Sequence, residues 1–326
     1  MSSLCSLAAI EPARLRPILE HERGLWLRTL GWELTPSAEL IADSLKAGRI
    51  EGLACLARER VVAYAYYMGS QKLSMIGSIH GLPESERLQG VTRVVEGTLD
   101  QLIDRLRSRR VESQFIFFGG EPIEAVFESF GFRSYARRFL GCELARLAAG
   151  LGREPALEVR RLSSVPLRTA SQIIHASFAG GIDRELSACY ESQRGCERFL
   201  EGVVHRQGCG LSLPDASFVA YRQGSPAGLI ATSRIGPGSA HVVQLSVSPE
   251  HQGQGVGRGL LSQALLSLQR QGFRRLTLSV TVANRLACDW YQRLGFETIK
   301  SFNAYVWPAE PLARVESSRS AVSRAR

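Results

Sequence analysis

The chain reads as an α/β (α+β) protein built from two tandem copies of one unit, each a mixed, mostly antiparallel sheet flanked by helices. Three observations predict this. A landmark recurs, "FESFGF" at 127–132 and "YQRLGF" at 291–296, each closing a short amphipathic run with Gly-Phe. A helix-period run and an apolar strand of comparable length precede each landmark, "GTLDQLIDRLRSRRVESQFIFF" and "GLLSQALLSLQRQGFRRLTLSV". Further upstream, "GLACLARERVVAYAYYMGS" and "ASFVAYRQGSPAGLIATSRI" each read as two strands joined by a polar turn.

Within a copy the order is strand, helices, antiparallel strands, then strand, helix, strand, helix and a closing β-rich stretch, "RSYARRFLGCEL" in the first and "ETIKSFNAYVW" in the second. Alternating strands and helices of this kind place helices on both faces of a mixed sheet. The join falls at "LAAGLGREPALE", whose Gly, Ala and Pro content suits a linker. The expected organisation is a first copy over 1–146, a linker over 147–157, a second copy over 158–308 and a disordered Arg/Ser tail over 309–326.

A chain of 326 residues with 44% hydrophobic content can bury two cores. It has no run of 18 apolar residues and no secretory pattern at its start, so a cytoplasmic protein without a membrane partner is expected. Seven cysteines, odd in number and never in a CxxC pair, argue for reduced thiols and no metal site. The net charge of +9 is carried almost wholly by arginines spread along the sequence, since only Lys46, Lys72 and Lys300 are lysines. A dispersed charge of this kind does not point to nucleic acid.

The most informative stretch is "VSPEHQGQGVGRGLL", 247–261. His241, Val243, Leu245 and Val247 alternate with Val242, Gln244 and Ser246, which predicts a strand. Leu260, Leu261, Ala264, Leu265 and Leu268 recur at helical spacing until Gly272. The glycines thus sit at a strand-to-helix turn, where unpartnered N–H groups and the helix dipole favour an anion and a Cβ would hold a phosphate off the backbone. A Walker loop requires Gly-Lys followed by Ser or Thr, which is absent. A dinucleotide fingerprint fails at Arg258 when counted from Gly253 and at Leu260 when counted from Gly255. What remains is Gln252-x-x-Gly255-x-Gly257, with Val247-x-Pro249 upstream.

This pattern resembles the acyl-CoA loop of the GNAT acetyltransferase superfamily, Q/R-x-x-G-x-G/A after a strand ending V-x-P. The segment "LTLSVTVANRLACDWYQRLGF" is similar to that family's next strand and helix, with Asn284, Ala287, Tyr291 and Gly295-Phe296 at matching positions. The resemblance covers about residues 158–307. It implies acetyl-CoA as co-substrate, with no metal. The loop Gln252, Gly253, Gln254, Gly255, Val256, Gly257 and Arg258 would hold the pyrophosphate on its amides, the Arg258 guanidinium adding a charge-assisted contact. Main-chain groups of Leu245, Ser246 and Val247 would pair with the pantetheine arm at a splayed sheet edge. Asn284 would meet the cofactor near the slot's mouth and also suits the N-cap of the following helix.

Acyl transfer to an amine requires a free amine and an acid for the leaving thiolate. An alkyl amine with a pKa of about 10.4 is protonated at neutral pH, so a base helps. Tyr291 stands where the family's thiolate-protonating tyrosine stands. His241 is the first candidate base, and Glu250 and Asp183 are weaker ones. Acceptor choice is expected in "HASFAGGIDRELSACYESQRGCERFLEGVV", 175–204. The expected activity is acetyl transfer to a primary amine of a small-molecule or peptide acceptor, in a monomer or homodimer. The alternative is a non-catalytic acyl-CoA sensor or partner-binding module.

Aligned on the Gly-Phe landmark, the first copy has Phe127 opposite Tyr291 and Gly120 opposite Asn284. Its loop region "HGLPESERLQGV" carries Glu84 and Glu86, which would repel phosphate and are expected to satisfy the helix N-terminus themselves. Tandem members of the family pair one active and one degenerate half in this way, and the first copy is read as the degenerate one.

Overall fold

The computed structural model describes residues 2–33, 38–151, 157–205 and 209–308. Most of the linker and the whole Arg/Ser tail lie outside the described residues. The chain divides into two compact units: residues 1–25, 35–135 and 302–326 form the first, residues 26–34 and 136–301 the second.

The first unit holds β1 (Ser2–Ser6), most of α1 (Pro12–Leu30), α2 (Ala38–Lys46), β2 (Glu51–Ala57), β3 (Arg60–Gly69), β4 (Ser74–Gly81), α3 (Gly90–Asp100), β5 (Val111–Ser113) and α4 (Ile123–Ser129). Strands β1 to β4 pair antiparallel in sequence order and β5 runs parallel to β4. One buried cluster gathers Leu7, Leu15, Ile18, Val61 and Tyr64 under α1 and α2. Another gathers Val62, Val91, Val95, Leu99 and Phe127 under α3 and α4.

The second unit takes most of β6 (Arg133–Glu143), then α5 (Leu144–Leu151), β7 (Glu158–Arg161), α6 (Leu167–Ser177), α7 (Asp183–Leu186), α8 (Gln193–His205), β8 (Leu211–Ser212), β9 (Phe218–Arg222), β10 (Ser225–Gly236), β11 (Ser239–Val247), α9 (Val256–Arg270), β12 (Arg275–Thr281) and α10 (Arg285–Arg293). The strand order is β6-β12-β11-β10-β9-β7, antiparallel except for the parallel pair β11–β12. Along β10, Leu229 and Ala231 enter the cluster beneath α6 and α8, whereas Ile230 enters the one beneath α9, as the two-residue period of a strand requires.

The mixed, mostly antiparallel sheets flanked by helices agree with the expected fold class. Packing and chain order divide the molecule differently, however. The final strand β13 (Glu297–Trp307) places Tyr305, Val306 and Trp307 against β5 in the first unit, and Arg137–Glu143 of β6 pair with β12 in the second. The stretch after each Gly-Phe landmark therefore closes the sheet of the other unit. Residues 147–151, read from sequence as the start of a linker, instead continue α5, whose Leu147 and Leu151 are buried in the second unit's core.

Candidate active site

In the second unit β11 and β12 pair only from Ser239↔Arg275 to Val242↔Leu278. The register of β11 against β10 slips at the same point, between Gln244 and Val242, so Val243 is an extra residue that bends the strand. Beyond it, the edge of β11 facing β12 has no ladder partner among the described residues. Leu245, Ser246 and Val247 lie on this splayed segment.

The turn after β11 leads through a short 3₁₀ segment, Pro249–His251, to Gly255, which precedes α9 without a side-chain cap. Gly253 and Gly255 have φ of +71° and +82°, a backbone region that a side chain disfavours. Gln252 donates from Nε2 to the Val247 carbonyl at 3.1 Å and Gln254 to the Glu250 carbonyl at 2.7 Å, bracing the turn from within. A Cβ at Gly253 would meet no atom within 4 Å, and one at Gly257 would come no nearer than 3.5 Å to Val247. Packing inside the protein thus does not explain the bare Gly257, whereas Gly259 is explained by the Leu157 methyl that a Cβ would meet at 2.4 Å. Val256 is buried in the core and anchors the first turn of α9. Open space at a helix start without a side-chain cap suits an anionic ligand. The Arg258 guanidinium donates to the Leu151 carbonyl at 3.0 Å, at the end of α5, so part of its hydrogen-bonding capacity serves the fold.

Asn284 caps α10, its Oδ1 accepting from the Ala287 amide at 3.2 Å. Its Nδ2 donates to Asp183 Oδ2 at 3.5 Å, and Thr281 Oγ1 donates to Asp183 Oδ1 at 2.6 Å. Tyr291 is buried on the same helix, flanked by Trp290 and Phe296. Burial, then the charges of Asp183 and Cys288, push its phenol well above the usual tyrosine range, so it keeps its proton throughout neutral pH.

His241 is packed among aromatic rings. It is stacked on Phe139 at 5.5 Å and packed against Trp32 at 5.1 Å. Thr277 gives its hydroxyl proton to the Ala240 carbonyl, so the 2.9 Å contact between His241 Nδ1 and Thr277 Oγ1 has the imidazole as donor. Burial and the Arg137 charge lower its pKa to about 3. Among the described residues the imidazole of His241, read from sequence as the candidate base, is packed between Trp32, Phe139 and Thr277. Glu250 is exposed on the loop.

Sequence reasoning missed a polar group that shares the Asp183 charge with Tyr291. Tyr190 stacks on Phe178 at 4.2 Å and donates to Gln244 Oε1 at 3.1 Å, and Gln244 Nε2 donates to Ser246 Oγ at 2.8 Å. Arg137 on β6 lies within electrostatic range of Asp183, Tyr190 and His241. No local spacing joins these residues, which come from β6, the 183–190 segment, β11 and α10. Among the described residues no cluster of three His, Cys, Asp or Glu is placed to hold a metal, and no helix is long and apolar enough to cross a membrane.

The corresponding helix start in the first unit is occupied from within. Glu121 Oε2 accepts from the Thr92 amide at 2.8 Å and the Thr92 hydroxyl at 2.9 Å, and Oε1 from the Val91 amide at 3.1 Å and Ser85 Oγ at 3.2 Å. Glu84, expected in this role, instead pairs with Arg60 at 2.7 Å on the surface, and Glu86 is exposed. Phe127 is fully buried and stacks on Tyr305 at 4.0 Å.

A family described as acetyltransferase (GNAT) family matches residues 181–296. An uncharacterised N-acetyltransferase from Methanocaldococcus jannaschii is 34% identical over 89 residues, which span 26% of this chain but only 39% of that protein. A mycothiol acetyltransferase from Thermobispora bispora is 31% identical over 200 residues, 55% of this chain and 67% of that protein. Among solved structures, a tandem GNAT protein from the clavulanic acid biosynthesis pathway superposes with a TM-score of 0.62 at 17% identity, over 95% of this chain and 99% of that one.

Proposed function

The chain belongs to the GNAT acetyltransferase family, and from that premise we propose that its second unit transfers an acetyl group from acetyl-CoA to a primary amine by direct attack in a ternary complex. The observation that carries this reading is the open, glycine-lined start of α9 beside the splayed edge of β11.

The residues fit the co-substrate. The amides of Gly253, Gly255, Gly257 and Arg258 would hold its pyrophosphate, the backbone of Leu245 to Val247 its pantetheine arm, and Asn284 the neighbourhood of the thioester. When bound, acetyl-CoA supplies an activated carbonyl and a thiolate leaving group. Tyr291 holds the proton that the departing sulfur takes up, and its burial keeps that proton in place until transfer. The amine sheds its protons to solvent, from which Tyr291 regains the one it gave to the sulfur, and His241 is buried between Trp32 and Phe139. The first unit keeps the fold without the site, with Glu121 at its helix N-terminus and Phe127 in place of the phenol.

The reading is tested by following CoA release from acetyl-CoA with a panel of primary amines. Release that depends on amine and falls sharply in Tyr291→Phe supports it. Binding of acetyl-CoA without transfer to any amine would favour a sensor.

A further inference from the structure

The group around Tyr291 contains a carboxylate whose setting suits a cation. Asp183 comes from the 175–204 segment and is held by Thr281, the last residue of β12, and by Asn284, the cap of α10. Its charge is felt at Tyr291 and at Tyr190, and Arg137 lies in range of it. The side chain is only partly buried. A carboxylate has about four acceptor positions, and the two hydrogen bonds given to Asp183 leave room for a further donor.

Placement follows from the chemistry. An attacking nitrogen must come within about 3–3.5 Å of the thioester carbon, and the sulfur bonded to that carbon must reach the Tyr291 hydroxyl. The amine therefore docks beside Tyr291, where the Asp183 charge acts. Resting on the acyl-transfer reading above, we propose that Asp183 is the acceptor-binding residue, holding the ammonium of an aliphatic primary amine at the mouth of the slot until it gives a proton to solvent and the freed lone pair attacks the thioester carbon. The substrate class is an acceptor presenting a primary ammonium, selected over weakly basic amines that are uncharged at neutral pH. Thr281 and Asn284 fix the carboxylate in place before the acceptor arrives, and Arg137 keeps it from being an isolated charge.

The test compares Asp183→Asn and Asp183→Glu with the wild-type full-length chain at pH 7. The probes are cadaverine, D-glucosamine and L-alaninamide as cationic acceptors and methoxyamine as an uncharged one, with acetyl-CoA binding measured in parallel. A charge-assisted hydrogen bond is worth roughly 10- to 150-fold, so Asp183→Asn should lose that much in kcat/KM for the best cationic probe, chiefly through KM. Any loss with methoxyamine, which reads the effect of Asp183 on Tyr291 and Asn284 alone, should be at least tenfold smaller, and Asp183→Glu should recover most of the cationic preference. Equal losses for charged and uncharged probes with acetyl-CoA binding intact, or no loss for either, would overturn the proposal. A wild-type chain that binds acetyl-CoA and acetylates none of the probes would overturn the transferase reading, and this assignment with it. The two failures are distinguished because one appears in the wild type and the other only in the variant.

Discussion

Glu121 lies 29 residues beyond Thr92 in the chain, yet its carboxylate accepts from both the amide and the hydroxyl of Thr92, at 2.8 and 2.9 Å. With Val91 and Ser85 it makes four hydrogen bonds at the start of α3, whereas the start of α9 in the second unit has no side-chain cap. An internal carboxylate satisfies the helix N-terminus and its dipole without any bound anion.

Removing that carboxylate should be costly. Glu121→Ala leaves buried donors without an acceptor and is expected to lower the unfolding free energy by about 1–3 kcal/mol, with Glu121→Gln losing less. Urea unfolding checks this, and a Glu121→Ala variant as stable as wild type would show that the contacts are incidental.

Tyr291→Phe removes one oxygen from a buried ring whose packing against Trp290 and Phe296 stays in place. General acid catalysis is worth roughly 10²–10⁴-fold, so kcat should fall by that range while acetyl-CoA affinity is retained. Turnover within threefold of wild type would remove Tyr291 from the proton path.

The buried histidines make stability sensitive to acid. His80, buried beside His21, is lowered to about 3, as is His241, against an unfolded value of about 6.5. A base with a depressed folded pKa binds fewer protons folded than unfolded, so its contribution is fully present above about 6.5 and is lost as pH falls towards 3. Each histidine should therefore account for about 2 kcal/mol of lost stability between pH 7 and pH 5. Replacing His241 by Leu should remove that histidine's share of the pH dependence in urea titrations. An unchanged pH dependence would mean that His241 titrates alike in the folded and unfolded chain.

Much of this organisation is legible in the sequence, because local periodicity and turn chemistry dictate it. The alternation of 241–247 became β11, the leucine spacing became α9, and the isolated Asn284 became the cap of α10. Strand partners are less legible. The stretches 133–143 and 297–307 carry similar apolar patterns, and nothing within either specifies which unit's sheet it closes. Glutamates adjacent to a helix start, such as Glu84 and Glu86, attract attention by proximity in sequence, whereas Glu121 reaches the same place only through the fold. The packing of His241 is not legible either, because it depends on Trp32 and Phe139, each more than a hundred residues away in the chain.

The most direct measurement is an isothermal titration of the full chain with acetyl-CoA, repeated with Gly257→Glu. Gly257 is chosen because a Cβ there meets only ordinary contacts, so the added carboxylate opposes a phosphate without straining the turn. One site per chain, lost in the variant, is the expected result. Two sites per chain, or binding unaffected by the substitution, would contradict the assignment of acetyl-CoA to the second unit alone.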